Sequence, residues 1–219
     1  MKMNTNLELQ RHVMDELAWE PRVDAAEIGV SVESGIVILN GTVKSFPEKW
    51  AAERAAQRVL GVRAVTDEIA VKLPGGSEHT DTDIARAAAN SLEWNTSVPR
   101  NRIKLLVKDG FITLDGNVEF YYQKNEAEQA IRNLTGVKGV YNEIAVKPVV
   151  LAADIKSKIE KALERAAEVD AKKISVEAQN SRVILRGNVR TWVEREEAVR
   201  AAWAAPGVSD VQNDIRIAA

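Results

Sequence analysis

Residues 28–43 have the sequence IGVSVESGIVILNGTV. Its first five residues alternate between apolar and small side chains, which predicts a strand with one buried face. The pair Ser34-Gly35 is typical of a tight turn, and the apolar residues after it predict a second strand that ends at Gly41. The segment therefore predicts an antiparallel hairpin.

The same pattern occurs twice more, at residues 103–118 and 174–189, with no gap inside the pattern. The turn pair becomes Asp109-Gly110 in the second copy and Asn180-Ser181 in the third. A glycine-valine pair then follows each hairpin at an equal distance: Gly61-Val62, Gly136-Val137 and Gly207-Val208. Self-similarity of this kind indicates one structural unit present three times.

Helices are predicted on both sides of each hairpin. Ahead of it, an apolar residue recurs every fourth position: Leu9, Val13 and Leu17, then Ile84, Ala88 and Leu92, then Ile155, Ile159 and Leu163. This spacing places one apolar stripe on a first helix. After the hairpin, Ser45-x-x-Glu48 and Thr191-x-x-Glu194 predict capping boxes that start a second helix. Residues 65–71 then predict a third strand.

The fold class follows from this order. We expect an α+β protein of three tandem α-β-β-α-β domains, each a three-stranded mixed sheet with two helices on one face. The predicted domains span residues 1–73, 81–148 and 153–219, joined by linkers at 74–80 and 149–152. Apolar residues on the open sheet faces predict packing between domains or a homo-oligomer.

Composition excludes several kinds of chemistry. The chain has 30 Lys and Arg against 32 Asp and Glu, a formal charge of −2, which excludes a strongly basic nucleic-acid binder. It has no cysteine and only two histidines, so thiolate metal sites, cysteine nucleophiles and multi-histidine metal centres are excluded. No carboxylate pair, serine-histidine constellation or phosphate-binding glycine loop stands out, and we expect neither an enzyme nor a cofactor.

The small and apolar positions of residues 28–43, followed by Ala52, Ala55 and Gly61-Val62, resemble the BON domain, and all three copies carry the pattern. The resemblance implies an α-β-β-α-β fold and a non-catalytic binding role. Members of this family occur in bacterial osmotic-stress proteins, in lipoproteins that bind anionic phospholipid, beside envelope channels, and in a cytosolic potassium-binding protein.

The second copy has an aromatic run where its siblings have the helix caps Ser45 and Thr191. The run is Phe120, Tyr121, Tyr122, Gln123 and Lys124. Three adjacent aromatic side chains cannot all be buried, and aromatic rings beside a lysine suit a membrane interface. The alternative is that these rings pack against a neighbouring repeat.

The second copy also has four basic residues at even positions along its predicted first strand: Arg100, Arg102, Lys104 and Lys108. On a strand they would project from the face away from the helices, where they could bind phosphate headgroups or another anion. The alternative is a solvated sheet face. Trp19 and Trp94, at equivalent positions at the end of the first helix, are expected to cover the edge of each core.

Two functions remain open from the sequence. The first is a stress-related binding protein for an anionic phospholipid surface or an envelope partner, with no nucleic-acid ligand and no transmembrane segment. The second is a cytosolic stress protein that binds a protein partner or a small cation such as potassium through acids such as Asp67, Glu68 and Asp214. The polar first residues predict a cytoplasmic location; the alternative is the periplasm if an export signal has been removed.

Overall fold

The structure, a computed structural model, describes residues 5–76, 79–149, 154–166 and 169–218. Residues 77–78 and 150–153, which include parts of both predicted linkers and the predicted start of the third domain, lie outside the described residues. The predicted domain boundaries therefore stay predictions.

Each repeat has the predicted order of elements. The first repeat contains α1 (Asn6–Trp19), β1 (Ile28–Glu33), β2 (Ile36–Val43), α2 (Phe46–Arg58) and β3 (Ala64–Val71). The second contains α3 (Asp81–Trp94), β4 (Ile103–Lys108), β5 (Phe111–Val118), α4 (Tyr121–Arg132), β6 (Gly139–Asn142) and β7 (Ala145–Val146). The third contains α5 (Ile155–Arg165), β8 (Ile174–Gln179), β9 (Arg182–Val189), α6 (Trp192–Trp203) and β10 (Asp210–Ile217).

The three sheets are mixed, which confirms the predicted fold class. In the first, β2 is central, antiparallel to β1 and parallel to β3. The third sheet repeats this arrangement, and in the second the last strand is interrupted, so that β6 and β7 pair separately with β5. The central strands are longer than expected, because β2 continues through Gly41 as far as Val43.

The local signals have the expected structural basis. Ser34 and Gly35 both have positive φ, 50° and 80°, as a two-residue hairpin turn requires. The Ser45 hydroxyl accepts from the Glu48 amide and so caps α2. The expected return bond differs: the Glu48 carboxylate accepts from the amides of Lys44 and Asp24, which also ties the helix start to the segment ahead of β1.

One apolar cluster fills each repeat between its two helices and its sheet. In the first it contains Leu9, Val13 and Leu17, each at most 3% exposed, beside the alanines of α2. The expectation for two tryptophans is wrong, because Trp19 is 82% exposed and Trp94 is 86% exposed. Trp19 follows the stripe residue Leu17 by two positions, which places it on the opposite side of the helix.

The repeats contact each other through their second helices, and the first residue of each of these helices is aromatic. Phe46 packs against the core of the second repeat. Tyr121 of the second repeat stacks on Trp203 of the third, with ring centroids 4.3 Å apart. Trp192 of the third repeat donates from Nε1 to the carbonyl oxygen of Val62 in the first, at 3.0 Å. Each repeat thus contacts the next in one cyclic order, a closed head-to-tail arrangement.

This arrangement changes the expectation about domain packing. The repeats do pack on one another, but through α2, α4 and α6 and not through their open sheet faces. Large apolar side chains remain exposed on those faces, among them Ile36 and Leu106. The open faces are therefore available for contacts outside the chain.

Candidate functional site

The open face of the second sheet carries two of the predicted basic residues. Exposed and half-buried residues alternate along β4, and Lys104, Leu106 and Lys108 all point away from the helices. Leu106 is 66% exposed between the two lysines. The strand thus presents an apolar side chain flanked by two ammonium groups.

Two aromatic rings extend this face on the neighbouring strands. Phe111 and Tyr141 stack with their centroids 6.0 Å apart. The Phe111 ring lies over Gly139, where an added Cβ would come within 2.7 Å of the ring. Tyr141 is 57% exposed, and sequence reasoning missed it, although its place opposite Thr113 on the central strand follows from the parallel pairing. We call Lys104, Leu106, Lys108, Phe111 and Tyr141 the basic-aromatic face.

The charges of this face are not neutralised within the described part of the chain. Neither Lys104 nor Lys108 forms an ion pair there, although Asp115 lies opposite Lys104 in the strand register. The equivalent face of the third repeat differs, because Arg186 pairs with Glu177 and Asp214. The two lysines are therefore available to an external anion.

The other two basic residues do not belong to the strand. β4 begins at Ile103, so Arg100 and Arg102 lie in the turn that precedes it. Asn101 between them has φ of 60°, which breaks the extended geometry needed for alternation. Both arginines are exposed, but the predicted four-residue ladder contains only Lys104 and Lys108.

The aromatic run of the second repeat is divided between two directions. Tyr121 is half-buried against Trp203, and burial raises the pKa of its hydroxyl. Phe120 and Tyr122 stay exposed and stack on each other with centroids 5.7 Å apart. Lys124 lies near Glu128, and burial lowers the pKa of its ammonium group. Packing against a neighbouring repeat thus accounts for Tyr121. It does not account for Phe120 and Tyr122, whose rings are exposed.

A cleft of about 940 Å³ lies where the three second helices meet. Aromatic side chains from all three repeats line it: Trp50, Phe120, Tyr121, Tyr122, Trp192 and Trp203. Clefts of this size at the junction of domains are common binding sites. The sequence signal was present, since each second helix begins with an aromatic residue, but it does not tell which repeats meet.

Polar contacts hold the cleft together on one side. Arg54 of α2 pairs with Glu196 of α6, with Nη2 and Oε2 2.8 Å apart. The Arg132 guanidinium of α4 lies over the Trp50 ring of α2, 4.0 Å from its centroid. Arg54 and Glu196, which line the cleft, are thus engaged in joining α2 to α6. Arg132 joins α4 to α2 through its cation-π contact.

Two of the three acids considered for a cation site, Asp67 and Asp214, are engaged in ion pairs, and Glu68 is exposed. Asp67 pairs with Lys49 at 3.0 Å, and Asp214 lies 3.5 Å from Arg186. Within the described residues, no group of three or more His, Asp and Glu side chains could hold a metal ion. In the same part of the chain, no helix has the length and apolar composition that crossing a bilayer requires.

Comparison with known proteins identifies a family and a relative. The model of the family described as BON domain matches residues 5–72, 80–148 and 152–219. The chain is 27% identical over 165 residues to osmotically-inducible protein Y of Escherichia coli (strain K12), which covers 67% of this chain and 80% of that protein.

Two solved structures of CdsD, a structural protein of the type III secretion system of Chlamydia trachomatis, are also similar. The C-terminal domain is 12% identical, with a TM-score of 0.27, over 99% of this chain and 100% of that one. A second CdsD structure is 13% identical, with a TM-score of 0.26, over 94% and 90% of the two chains.

Proposed function

The chain belongs to the BON domain family, of which it carries three tandem copies, and from that premise we propose that it is a non-catalytic protein that binds anionic phospholipid headgroups. The contact is made by the basic-aromatic face of the second repeat. Because a relative is named as osmotically inducible, we place this binding in the response of the cell to osmotic stress.

One observation carries the proposal. Lys104 and Lys108, without ion-pair partners in the described chain, flank an exposed leucine on one sheet face, and two exposed aromatic rings adjoin them. Aromatic rings suit the headgroup level of a bilayer, and each lysine near an anionic surface contributes about 1 kcal/mol of attraction. The contact is with the surface of the bilayer.

The alternatives from the sequence have less support. For a cation, Asp67 and Asp214, two of the three acids considered, are already paired with Lys49 and Arg186. An envelope protein partner would use the same face and stays open as an outcome of the test. The cytoplasmic location stays a prediction, as does its periplasmic alternative.

The test is co-sedimentation of the full chain with vesicles of phosphatidylglycerol and phosphatidylcholine in equal parts, compared with vesicles of phosphatidylcholine alone. We expect binding to the anionic vesicles only, weakening as salt is added. The variant K104E/K108E should bind at least about tenfold more weakly, since two attractive charges become repulsive.

The matched control is K158E/K161E, which makes the same change of net charge on α5, where both lysines are exposed. It should bind like the unmodified chain. Equal loss in both variants would reduce the effect to net charge, and absence of binding to either vesicle would refute the proposal.

A further inference from the structure

The three repeats carry a basic residue at one equivalent position, early in the second helix: Lys49, Lys124 and Arg195. In the first repeat this residue is paired within the chain. Lys49 Nζ lies 3.0 Å from the Asp67 carboxylate and donates to the carbonyl oxygen of Ile69 at 2.7 Å. Glu53, one turn further along α2, adds a second acid nearby, and burial together with Asp67 raises its pKa.

The number of acidic residues around this position decreases from the first repeat to the third. Asp67 is replaced by Asn142 in the second repeat and by Asn213 in the third. Glu53 is matched by Glu128 in the second repeat but by Val199 in the third. At these two positions there are therefore two acids in the first repeat, one in the second and none in the third.

Arg195 shows the consequence of this loss. Its Nε is buried and has no hydrogen-bond acceptor, and no carboxylate of the described chain pairs with its guanidinium. The guanidinium lies over the Trp192 ring, 4.9 Å from the centroid. A buried donor without an acceptor is unfavourable, so this arginine is poised for an external acceptor.

The position of Arg195 connects it to the cleft between the repeats. Arg195, Asn213 and Val199 all line the cleft, together with the aromatic side chains described above. Of the three arginines that line it, Arg54 pairs with Glu196 and Arg200 pairs with Glu197, so Arg195 alone among them has no carboxylate partner in the described chain. Glu126 in the same wall disfavours a ligand with several negative charges.

We propose that this cleft binds a small organic monocarboxylate with a flat apolar body. Its carboxylate pairs with Arg195 in the place where Asp67 pairs with Lys49 in the first repeat. Its apolar body packs among the aromatic rings of α4 and α6. In the first repeat the carboxylate that pairs with the basic residue belongs to the chain itself, as Asp67. In the third repeat the ligand supplies it. This site is separate from the basic-aromatic face and does not depend on phospholipid binding.

The test uses 1-naphthylacetate and its uncharged amide, 1-naphthylacetamide, titrated calorimetrically into the full chain. The two probes share their apolar body and differ in the charge that Arg195 would recognise. We expect the carboxylate to bind at least about tenfold more tightly than the amide, as expected for hydrogen bonds to a charged group.

Two variants tie this preference to Arg195. R195Q should remove it. N213D places at position 213 the acid that the first repeat has at Asp67. The new carboxylate should pair with the Arg195 guanidinium and so also remove the preference. The thermal stability of the chain should be unchanged. The control R165Q removes one positive charge from an exposed position at the end of α5 and should leave the preference unchanged.

The outcomes decide the proposal in either direction. A carboxylate preference that is lost in both R195Q and N213D but kept in R165Q supports it. Equal affinity for the two probes, binding of neither, or a preference that survives N213D in a folded chain overturns it. Loss in R165Q as well would assign the preference to net charge and also overturn it.

Discussion

Tyr121 of the second repeat and Trp203 of the third lie face to face, with ring planes inclined by 7° and centroids 4.3 Å apart. Their helices belong to different repeats, so this stack is one of the contacts that hold the repeats in a cyclic order. The neighbouring residue Tyr122 is 55% exposed. The two tyrosines therefore separate the contribution of the contact between repeats from that of an aromatic residue at the surface.

The first prediction follows from this pair. Tyr121→Ala should lower the free energy of unfolding by about 2–3 kcal/mol, because it removes a half-buried ring and its stacking contact with Trp203. Tyr122→Ala should lower it by less than about 1 kcal/mol. Urea denaturation of both variants measures the difference. In a double-mutant cycle Tyr121 and Trp203 should be coupled by about 0.5–1.5 kcal/mol; absence of coupling would mean that the stack does not join the repeats.

The sequence predicts the single repeat well, for a clear physical reason. The helix stripe of Leu9, Val13 and Leu17, the turn at Ser34-Gly35 and the cap at Ser45 are local patterns, and each has one favourable solution. Three copies of the pattern repeat the same evidence. The fold class and the basic strand residues Lys104 and Lys108 could therefore be predicted without coordinates.

The contacts between repeats could not be predicted in the same way. That Phe46, Tyr121 and Trp192 begin equivalent helices is visible in the sequence, but which neighbour each one reaches depends on how the repeats are oriented. The cleft and the unpaired Arg195 depend on the same orientation. Arg102 lies outside the strand for a local reason, because the positive φ of Asn101 breaks the extended backbone ahead of Ile103.

The second prediction concerns a glycine that occurs in all three hairpins. Gly116 has φ of 135°, and a Cβ there would collide with the backbone carbonyl of Arg102. Gly116→Ala should therefore lower the free energy of unfolding by about 2 kcal/mol or more. The control is Gly75→Ala, since no atom lies within 4 Å of a Cβ added at Gly75. Urea denaturation should show a near-neutral control; two equally mild variants would contradict the close approach.

The third prediction concerns pH. The Glu20 carboxylate accepts from Arg22 at 2.8 Å and from Arg58 at 3.2 Å. These hydrogen bonds lower the pKa of Glu20 from 4.5 to about 2, and the bond from Arg22 has the largest effect. Burial opposes them by raising the pKa. Because the pKa is lower in the folded chain, this stabilisation is complete above the unfolded value and is lost as the pH falls towards 2.

The matched variant for this effect is Glu20→Gln. The stability difference between the unmodified chain and this variant should be constant near neutral pH and should shrink below about pH 4.5. Urea denaturation along a pH series measures it. Glu68→Gln removes an exposed carboxylate from the same repeat and is the control. A difference that stays constant down to about pH 2 would contradict the lowered pKa.

The last prediction uses the helix start that lacks a side-chain cap. Phe120 has the extended backbone of an N-cap residue, φ −127° and ψ 146°, but no side-chain acceptor. Gln123 accepts from the amides of Glu119 and Phe120, so the return half of the cap is already present. Phe120→Ser should therefore be more stable than Phe120→Ala by about 1 kcal/mol, because both lose the ring and only serine caps the Gln123 amide. Equal urea midpoints for the two variants would show that α4 gains nothing from a cap at this position.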